Sequence, residues 1–161
     1  MVKVDIKNAF GTISRQAIMG GISAYAPLFS KWAACSLHPT SVFCGDSTIE
    51  ISTGVQQGDP LAPVFFSLGL HPIITEIKDE CPEVQTLWYL DDGLLVGPPV
   101  AVATALDKLA SKLATIGLRL NTSKCELLCN EKLDITVLDT ILKRLPHASW
   151  SYLGAVGAVS V

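Results

Sequence analysis

The chain has 161 residues, of which 49% are hydrophobic, and a formal net charge of −3. This size predicts a single globular unit with a sizeable core, and no apolar stretch approaches the roughly 20 residues that cross a bilayer. No Lys or Arg occurs from Trp32 to Ile77. A free-standing nucleic-acid binder takes most of its affinity from a basic face, so the charge argues against that class.

In the first half of the chain, strand and helix patterns alternate. "VKVD" predicts a strand ending at Asp5, and the apolar run Ala17–Leu37 predicts a buried helix. "SVFCGDSTIEIS" predicts a hairpin. Asp59 followed by Pro60 is typical of a helix start, and this helix should run toward Lys78.

The second half begins with two apolar strand runs, "LWYL" and "LLVG", joined through Asp91, Asp92 and Gly93. A helix is predicted over Val100–Ile116, with Gly117 as its stop. "LRLNTSKCELLC" predicts a turn between two short strands, "DITVLDTILKRL" a helix, and "WSYLGAVGAVSV" strands. This order predicts an α+β fold, with an antiparallel sheet and helices packed on one face.

Two adjacent aspartates lie between the apolar runs of "LWYLDDGLLVG". By itself this segment is an adequate hairpin turn. Asp5 adds a third acid at another strand end, and three close carboxylates need cations to stay ionised. Mg²⁺ prefers such oxygen ligands, and two ions about 3.5 to 4 Å apart could support nucleotidyl transfer.

Five segments together are similar to the palm motifs of reverse transcriptases, most closely those of non-LTR retrotransposons. In chain order they are "VDIKNAF", "GVQQGDPLAP", "YLDDGLLVG", "GLRLNTSKCEL" and "SYLGAVG". The resemblance implies an RNA-directed DNA polymerase palm that uses an RNA template, a DNA primer and dNTPs. It implies two Mg²⁺ ions, with Mn²⁺ able to substitute, bound by Asp5, Asp91 and Asp92. Asp92 would be the supporting acid.

The resemblance also implies roles outside the metal site. Phe10 matches the gate that excludes a ribose 2′-hydroxyl, and Gln57 and Gly58 match a nucleotide-binding segment. Lys124 matches a lysine near the leaving pyrophosphate, a candidate general acid. Residues matching primer-binding positions are Tyr89, Tyr152, Leu153 and Gly154.

Simpler interpretations stay open for several of these residues. Phe10 and Tyr89 could be core aromatics, "QQGDP" only a helix-entry loop, and Lys124 a solvent-facing turn lysine. Asn121 is expected to be a turn residue, and the tryptophans are expected in the core: Trp32, Trp88 and Trp150.

The family's fingers precede the segment matching Asp5, and its thumb follows the last motif. We therefore expect residues 1–161 to be a palm fragment of a larger enzyme. An RNA-dependent RNA polymerase palm, or an inactive retroelement-derived fragment, remains an alternative. The expected location is intracellular, without a membrane, and the retroelement resemblance suggests the nucleus.

Overall fold

A computed structural model describes residues 1–129, 135–153 and 158–160, with the backbone alone at 135, 137, 138, 150–153 and 158–160. These residues fall into two compact units. The first unit comprises Met1–Lys7, Ile73–Thr115 and the described residues from Arg119 onward. The second unit comprises Asn8–Pro72 and Ile116–Leu118.

The described secondary structure is mixed. The strands are β1 (Val2–Asp5), β2 (Thr40–Cys44), β3 (Ser47–Ile51), β4 (Gln85–Tyr89), β5 (Asp92–Val96), β6 (Glu126–Cys129), β7 (Ser149–Leu153) and β8 (Ala158–Ser160). The helices are α1 (Ala9–Thr12), α2 (Arg15–Tyr25), α3 (Ser30–Ser36), α4 (Ala62–Glu80), α5 (Pro99–Thr115) and α6 (Ile135–Arg144). In the described part of the chain, every helix is too short or too polar to span a membrane.

The first unit is built on one sheet with the strand order β4-β5-β1-β6-β7-β8. Its neighbouring strands are antiparallel except β6 and β7, which are parallel. Along β1, Val2 and Val4 are fully buried, whereas Lys3 and Asp5 between and after them are only half-buried. This alternation means that helices cover one face while the other stays accessible. The predicted α+β fold is confirmed.

We call the accessible side of this sheet the open face. It carries Lys3 and Asp5 together with the residues opposite them on the neighbouring strands, because directly paired residues project to the same side. The paired residues are Leu94 and Glu126 for Lys3, and Asp92 for Asp5. The open face therefore brings together charged residues from three strands.

The long helices follow the predicted patterns with small shifts at their ends. In α5, Leu106, Leu109 and Leu113 are buried at helical spacing, as predicted. Helix α4 begins two residues later than predicted, since Pro60 and Leu61 form a turn and the Asp59 carboxylate accepts a 2.9 Å hydrogen bond from Leu61 N. The predicted strand before β6 is reduced to one isolated bridge between Ile6 and Leu120.

The single buried helix predicted over Ala17–Leu37 is wrong. Helices α2 and α3 are separate, with Ala26 at ψ 56° and a 3₁₀ turn over Pro27–Phe29 between them. Proline lacks an N–H and disfavours helical geometry at the residue before it, which favours ending α2 before Pro27. Four of its large apolar residues are exposed: Tyr25, Leu28, Phe29 and Trp32.

The prediction that the tryptophans lie in the core is only partly confirmed. Trp32 is 47% exposed and lies beside Phe65, with ring centroids 5.6 Å apart. Trp88 is half-buried. The side chain of Trp150 lies outside the described residues.

The second unit contains the predicted hairpin and the close approach of two helices. Strands β2 and β3 pair antiparallel from Thr40 opposite Ile51 to Cys44 opposite Ser47. A Cβ added to Gly21 in α2 would lie 2.0 Å from the carbonyl oxygen of Leu68 in α4. Glycine at position 21 is therefore required for these two backbones to touch.

Candidate active site

The turn between β4 and β5 lies earlier in the chain than predicted. Tyr89 pairs with Asp92, which leaves Leu90 and Asp91 as the two loop residues. Leu90 has φ +56°, whereas Asp91 is not among the residues with positive φ. The prediction that Asp92 and Gly93 belong to the turn is wrong, because both pair within β5.

Asp5 and the aspartate pair meet at the ends of three neighbouring chain segments. Asp5 lies directly opposite Asp92, and Ile6 N donates a 3.1 Å hydrogen bond to the carbonyl oxygen of Asp91. On the other side, Asn121 N donates a 2.8 Å hydrogen bond to the carbonyl oxygen of Asp5. The backbone of Asp5 is thus held both by the aspartate hairpin and by the turn before β6.

The three carboxylates differ in exposure. The side chain of Asp5 is 15% exposed, Asp91 is half-buried in the turn, and Asp92 is exposed. Asp5 and Asp92 project from the open face, and Asp91 adjoins them. These are the hard oxygen donors that Mg²⁺ accepts, so the donor chemistry fits a divalent cation. Among the described residues, no three His, Cys, Asp or Glu side chains already converge on one metal position.

Lys124 lies near Asp5. Its Nζ is 4.0 Å from Asp5 Oδ2, while its own side chain is 69% exposed. The turn that carries it is closed by a 3.0 Å hydrogen bond from Lys124 N to Asn121 O, and Ser123 Oγ donates to Asn121 Oδ1. Asn121 is therefore a turn residue, as predicted. An ion pair at this distance with an exposed lysine contributes little to stability. Because its side chain is exposed, the ammonium group of Lys124 is also accessible to other groups.

Lys3 is a site residue that the sequence analysis did not single out. Its Nζ lies 3.3 Å from Glu126 Oε1, and this hydrogen bond is the main cause that raises the pKa of Lys3. The charges of Glu126, Asp92 and Asp5 raise that pKa further. The signal was present in the alternation of "VKVD", which places residues 3 and 5 on one face.

Cys125 lies behind the site. It is fully buried, and its Sγ donates a 3.3 Å hydrogen bond to Asn121 O. Burial raises the pKa of this thiol, so it stays protonated at neutral pH. Cys125 is a packing residue of the site rather than a nucleophile.

The predicted nucleotide-binding residues lie in the second unit. Phe10 is half-buried and stacks on Phe66, with ring centroids 4.8 Å apart and an interplanar angle of 22°. Gln57 and Gly58 form an exposed turn, and Gly58 has φ +93°. Asp5, Asp91, Asp92 and Lys124 belong to the first unit.

Among the predicted primer-binding residues, only Tyr89 has a described side chain. Tyr89 is 78% exposed, so the alternative of a core aromatic is wrong. Beside it on the sheet is a shallow cavity of about 270 Å³, lined by Lys3, Leu87, Trp88, Asp92 and Leu94 among others. Tyr152 and Leu153 are described as backbone of β7, and Gly154 lies outside the described residues.

The chain belongs to the reverse transcriptase (RNA-dependent DNA polymerase) family, whose sequence profile matches residues 1–156. It is 31% identical over 141 residues to a retrovirus-related Pol polyprotein from the type-1 retrotransposable element R2 of Popillia japonica, covering 78% of this chain and 23% of that protein. It is 29% identical over 158 residues to the retrotransposable element SLACS 132 kDa protein of Trypanosoma brucei gambiense, covering 90% of this chain and 13% of that protein.

A second R2 polyprotein, from Bradysia coprophila, is 31% identical over 132 residues, covering 68% of this chain and 15% of that protein. The chain therefore spans less than a quarter of the length of each of these relatives. They are proteins of non-LTR retrotransposons, which confirms the type of reverse transcriptase that the motifs indicated.

Proposed function

We propose that residues 1–161 are the palm of an RNA-directed DNA polymerase, which adds deoxynucleotides from dNTPs to the 3′-hydroxyl of a DNA primer on an RNA template. The observation that carries the proposal is the pairing of Asp5 with Asp92 on the open face, beside the turn residue Asp91. The family match to RNA-dependent DNA polymerases favours this activity over the RNA-dependent RNA polymerase considered above.

Asp5, Asp91 and Asp92 are the proposed ligands of two Mg²⁺ ions, for which Mn²⁺ can substitute. When bound, such ions activate an attacking hydroxyl and stabilise a leaving phosphate oxygen. The chain's own contribution is to hold the carboxylates in place. The hydrogen bond from Ile6 N to Asp91 O holds the turn against the end of β1, next to Asp5.

The remaining residues act on the substrates in this proposal. Lys124 is the candidate general acid, since its exposed ammonium group near Asp5 can give a proton to the departing pyrophosphate. Phe10 excludes a 2′-hydroxyl, and Gln57 and Gly58 contact the incoming nucleotide. The primer-binding residues are Tyr89, Tyr152, Leu153 and Gly154.

We further propose that this palm works with fingers and thumb regions of a longer polyprotein. The support is that the matching relatives are several times longer than the stretch they share with the chain. A nuclear location belongs to the same proposal and has only the retroelement relationship as support.

Primer extension on an RNA template with Mg²⁺ or Mn²⁺ tests the proposal. Asp91→Asn and Asp92→Asn should each abolish extension, because a neutral amide cannot replace a carboxylate ligand. Asp79→Asn, an exposed acid on α4, should behave like the unaltered chain. Mn²⁺ titration followed by electron paramagnetic resonance should show weaker binding in the Asp91 and Asp92 variants only.

Full extension by Asp91→Asn would show that Asp91 is not a required metal ligand. Equal Mn²⁺ binding by all variants would argue that the three aspartates do not form a metal site at all. Extension lost equally in the Asp79→Asn control would show that the assay reports folding rather than catalysis.

A further inference from the structure

Arg15, at the start of α2, makes an unusual set of contacts. Its Nε donates a 3.0 Å hydrogen bond to the carbonyl oxygen of Gly54, and its Nη1 donates to the carbonyl oxygens of Leu37 (3.0 Å), His38 (3.2 Å) and Ile51 (3.0 Å). One side chain thus gathers the end of α3, the end of β3 and the segment that leads to Gln57. All of these partners are backbone groups of the second unit.

The segment held by Arg15 is also bound directly to the residues around Phe10. Val55 N donates a 2.7 Å hydrogen bond to Phe10 O, and Gly54 N donates a 2.8 Å hydrogen bond to Ile13 O. Gly54 has φ +68°, and a Cβ there would lie 2.5 Å from the carbonyl oxygens of Phe10 and Gly11. The two backbones therefore touch, and Gly54 is bound through its N–H on one side and through its carbonyl, by Arg15, on the other.

From this arrangement we propose that Arg15 is a positioning residue that holds the Gln57–Gly58 turn in fixed register with Phe10. The inference rests on the proposed function, in which these residues contact one nucleotide. Arg15 does not touch the nucleotide in this scheme. It sets the separation between the residue that excludes the 2′-hydroxyl and the turn that binds the rest of the nucleotide, and so it sets sugar preference.

The surroundings of Arg15 make this role separable from global stability. Arg15 and Gln57 line the same cavity of about 470 Å³, which Glu50 and Asp59 also line. Water can enter such a cavity, so the carbonyl groups released by an altered side chain can be hydrated. Local opening of a segment of this kind does not require the whole chain to unfold.

Hydrogen–deuterium exchange on the whole chain tests the structural part. Arg15→Met keeps the length and apolar stem but removes every donor, and it should speed exchange at Gly54 and Val55 by about tenfold or more. Arg15→Lys keeps the charge without the planar fork and should give an intermediate effect. Protection of β1 and β5 should not change. The matched control is Arg144→Met, which removes an arginine paired with Asp107 in the first unit and should leave Gly54 and Val55 unaffected.

Equilibrium dialysis with dATP and ATP, both with Mg²⁺, tests the nucleotide part. Arg15→Met should weaken dATP binding and reduce the preference for dATP over ATP, and Arg15→Lys should restore part of both. Unchanged exchange at Gly54 and Val55 would overturn the proposal, as would loss of protection throughout β1 and β5. Faster exchange with an unchanged dATP preference would also overturn it, and would make Arg15 a purely structural residue.

The two proposals fail in different ways. An unaltered chain that binds neither Mn²⁺ nor dATP overturns the proposed function and, with it, the nucleotide role of Arg15. If the unaltered chain binds dATP, and the Arg15→Met variant prefers dATP over ATP to the same degree, only the inference about Arg15 is overturned.

Discussion

The indole ring of Trp88 covers Gly93, its direct partner across the β4–β5 hairpin. A Cβ at residue 93 would lie 2.6 to 2.8 Å from three atoms of that ring, closer than any real contact. Gly93 therefore follows the aspartate pair because the neighbouring strand places an aromatic ring over it. The tight turn itself does not need this glycine.

Gly93→Ala should lower the free energy of unfolding by about 1 to 3 kcal/mol, because Trp88 must move away from a packed position. Urea denaturation measures the change. Gly20→Ala is the control, since nothing lies within 4 Å of a Cβ there and alanine favours the helix, so it should stabilise by about 0.5 to 1 kcal/mol. Equal effects of the two substitutions would contradict the account of Gly93.

Leu90 holds a left-handed backbone conformation, with φ +56°, immediately before Asp91. Such a conformation costs a residue with a Cβ about 1 to 2 kcal/mol. Leu90→Gly should therefore be more stable than Leu90→Val by at least about 1 kcal/mol, since a β-branched side chain is least tolerated there. Thermal unfolding of both variants measures the difference.

The control for Leu90 is the same pair of changes at Leu94, which lies in β5 and is not among the positive-φ residues. There the order should reverse, with valine more stable than glycine. The same order at both positions would show that backbone strain at Leu90 does not determine its tolerance.

Phe10→Ala should raise incorporation of ribonucleotides relative to deoxynucleotides, because the ring that stacks on Phe66 is the proposed obstacle to a 2′-hydroxyl. Primer extension with each nucleotide type measures the ratio. Phe43→Ala, which removes a 78% exposed ring from β2 in the same unit, should leave the ratio unchanged. An unchanged ratio in Phe10→Ala would assign Phe10 to packing alone.

Glu80 links α4 to α5 through Lys108 and Lys112, each 2.9 Å from its carboxylate. The hydrogen bond from Lys108, and then that from Lys112, lowers the pKa of Glu80 below the usual value for a glutamate. A lowered folded-state pKa means that the stabilisation is present above the unfolded pKa and is lost as pH falls through the folded one. The acid-side fall in Tm should therefore be smaller in Glu80→Gln than in the unaltered chain.

Glu83→Gln, which neutralises an exposed acid outside the two ion pairs, is the control for the loss of one negative charge. A Glu80→Gln variant whose Tm falls with acid as steeply as that of the unaltered chain would show that the two ion pairs contribute nothing. High salt should reduce the difference between the Glu80 variant and the unaltered chain, because the pairs are exposed.

Local sequence patterns were sufficient to predict most of the helices and strands. The leucine spacing predicted α5, and the alternation around "GDS" predicted the β2–β3 hairpin, because both depend on neighbours in the chain. The same kind of local pattern gave a wrong prediction at Pro27. The apolar composition suggested one continuous helix, although the proline favours a break. It also misplaced the second hairpin turn, because Asp-Asp-Gly is a better turn sequence than Leu-Asp.

The sequence by itself determined the family, the acids near the strand ends and most of the long elements, since these depend on residue type and spacing. Only the tertiary structure decided that Asp92 faces Asp5, that Lys3 shares their face, and that Arg15 gathers four backbone carbonyls. Strand register and long-range hydrogen bonds join residues far apart in the chain. No local propensity encodes them, because their free energy comes from packing that exists only once the chain has folded.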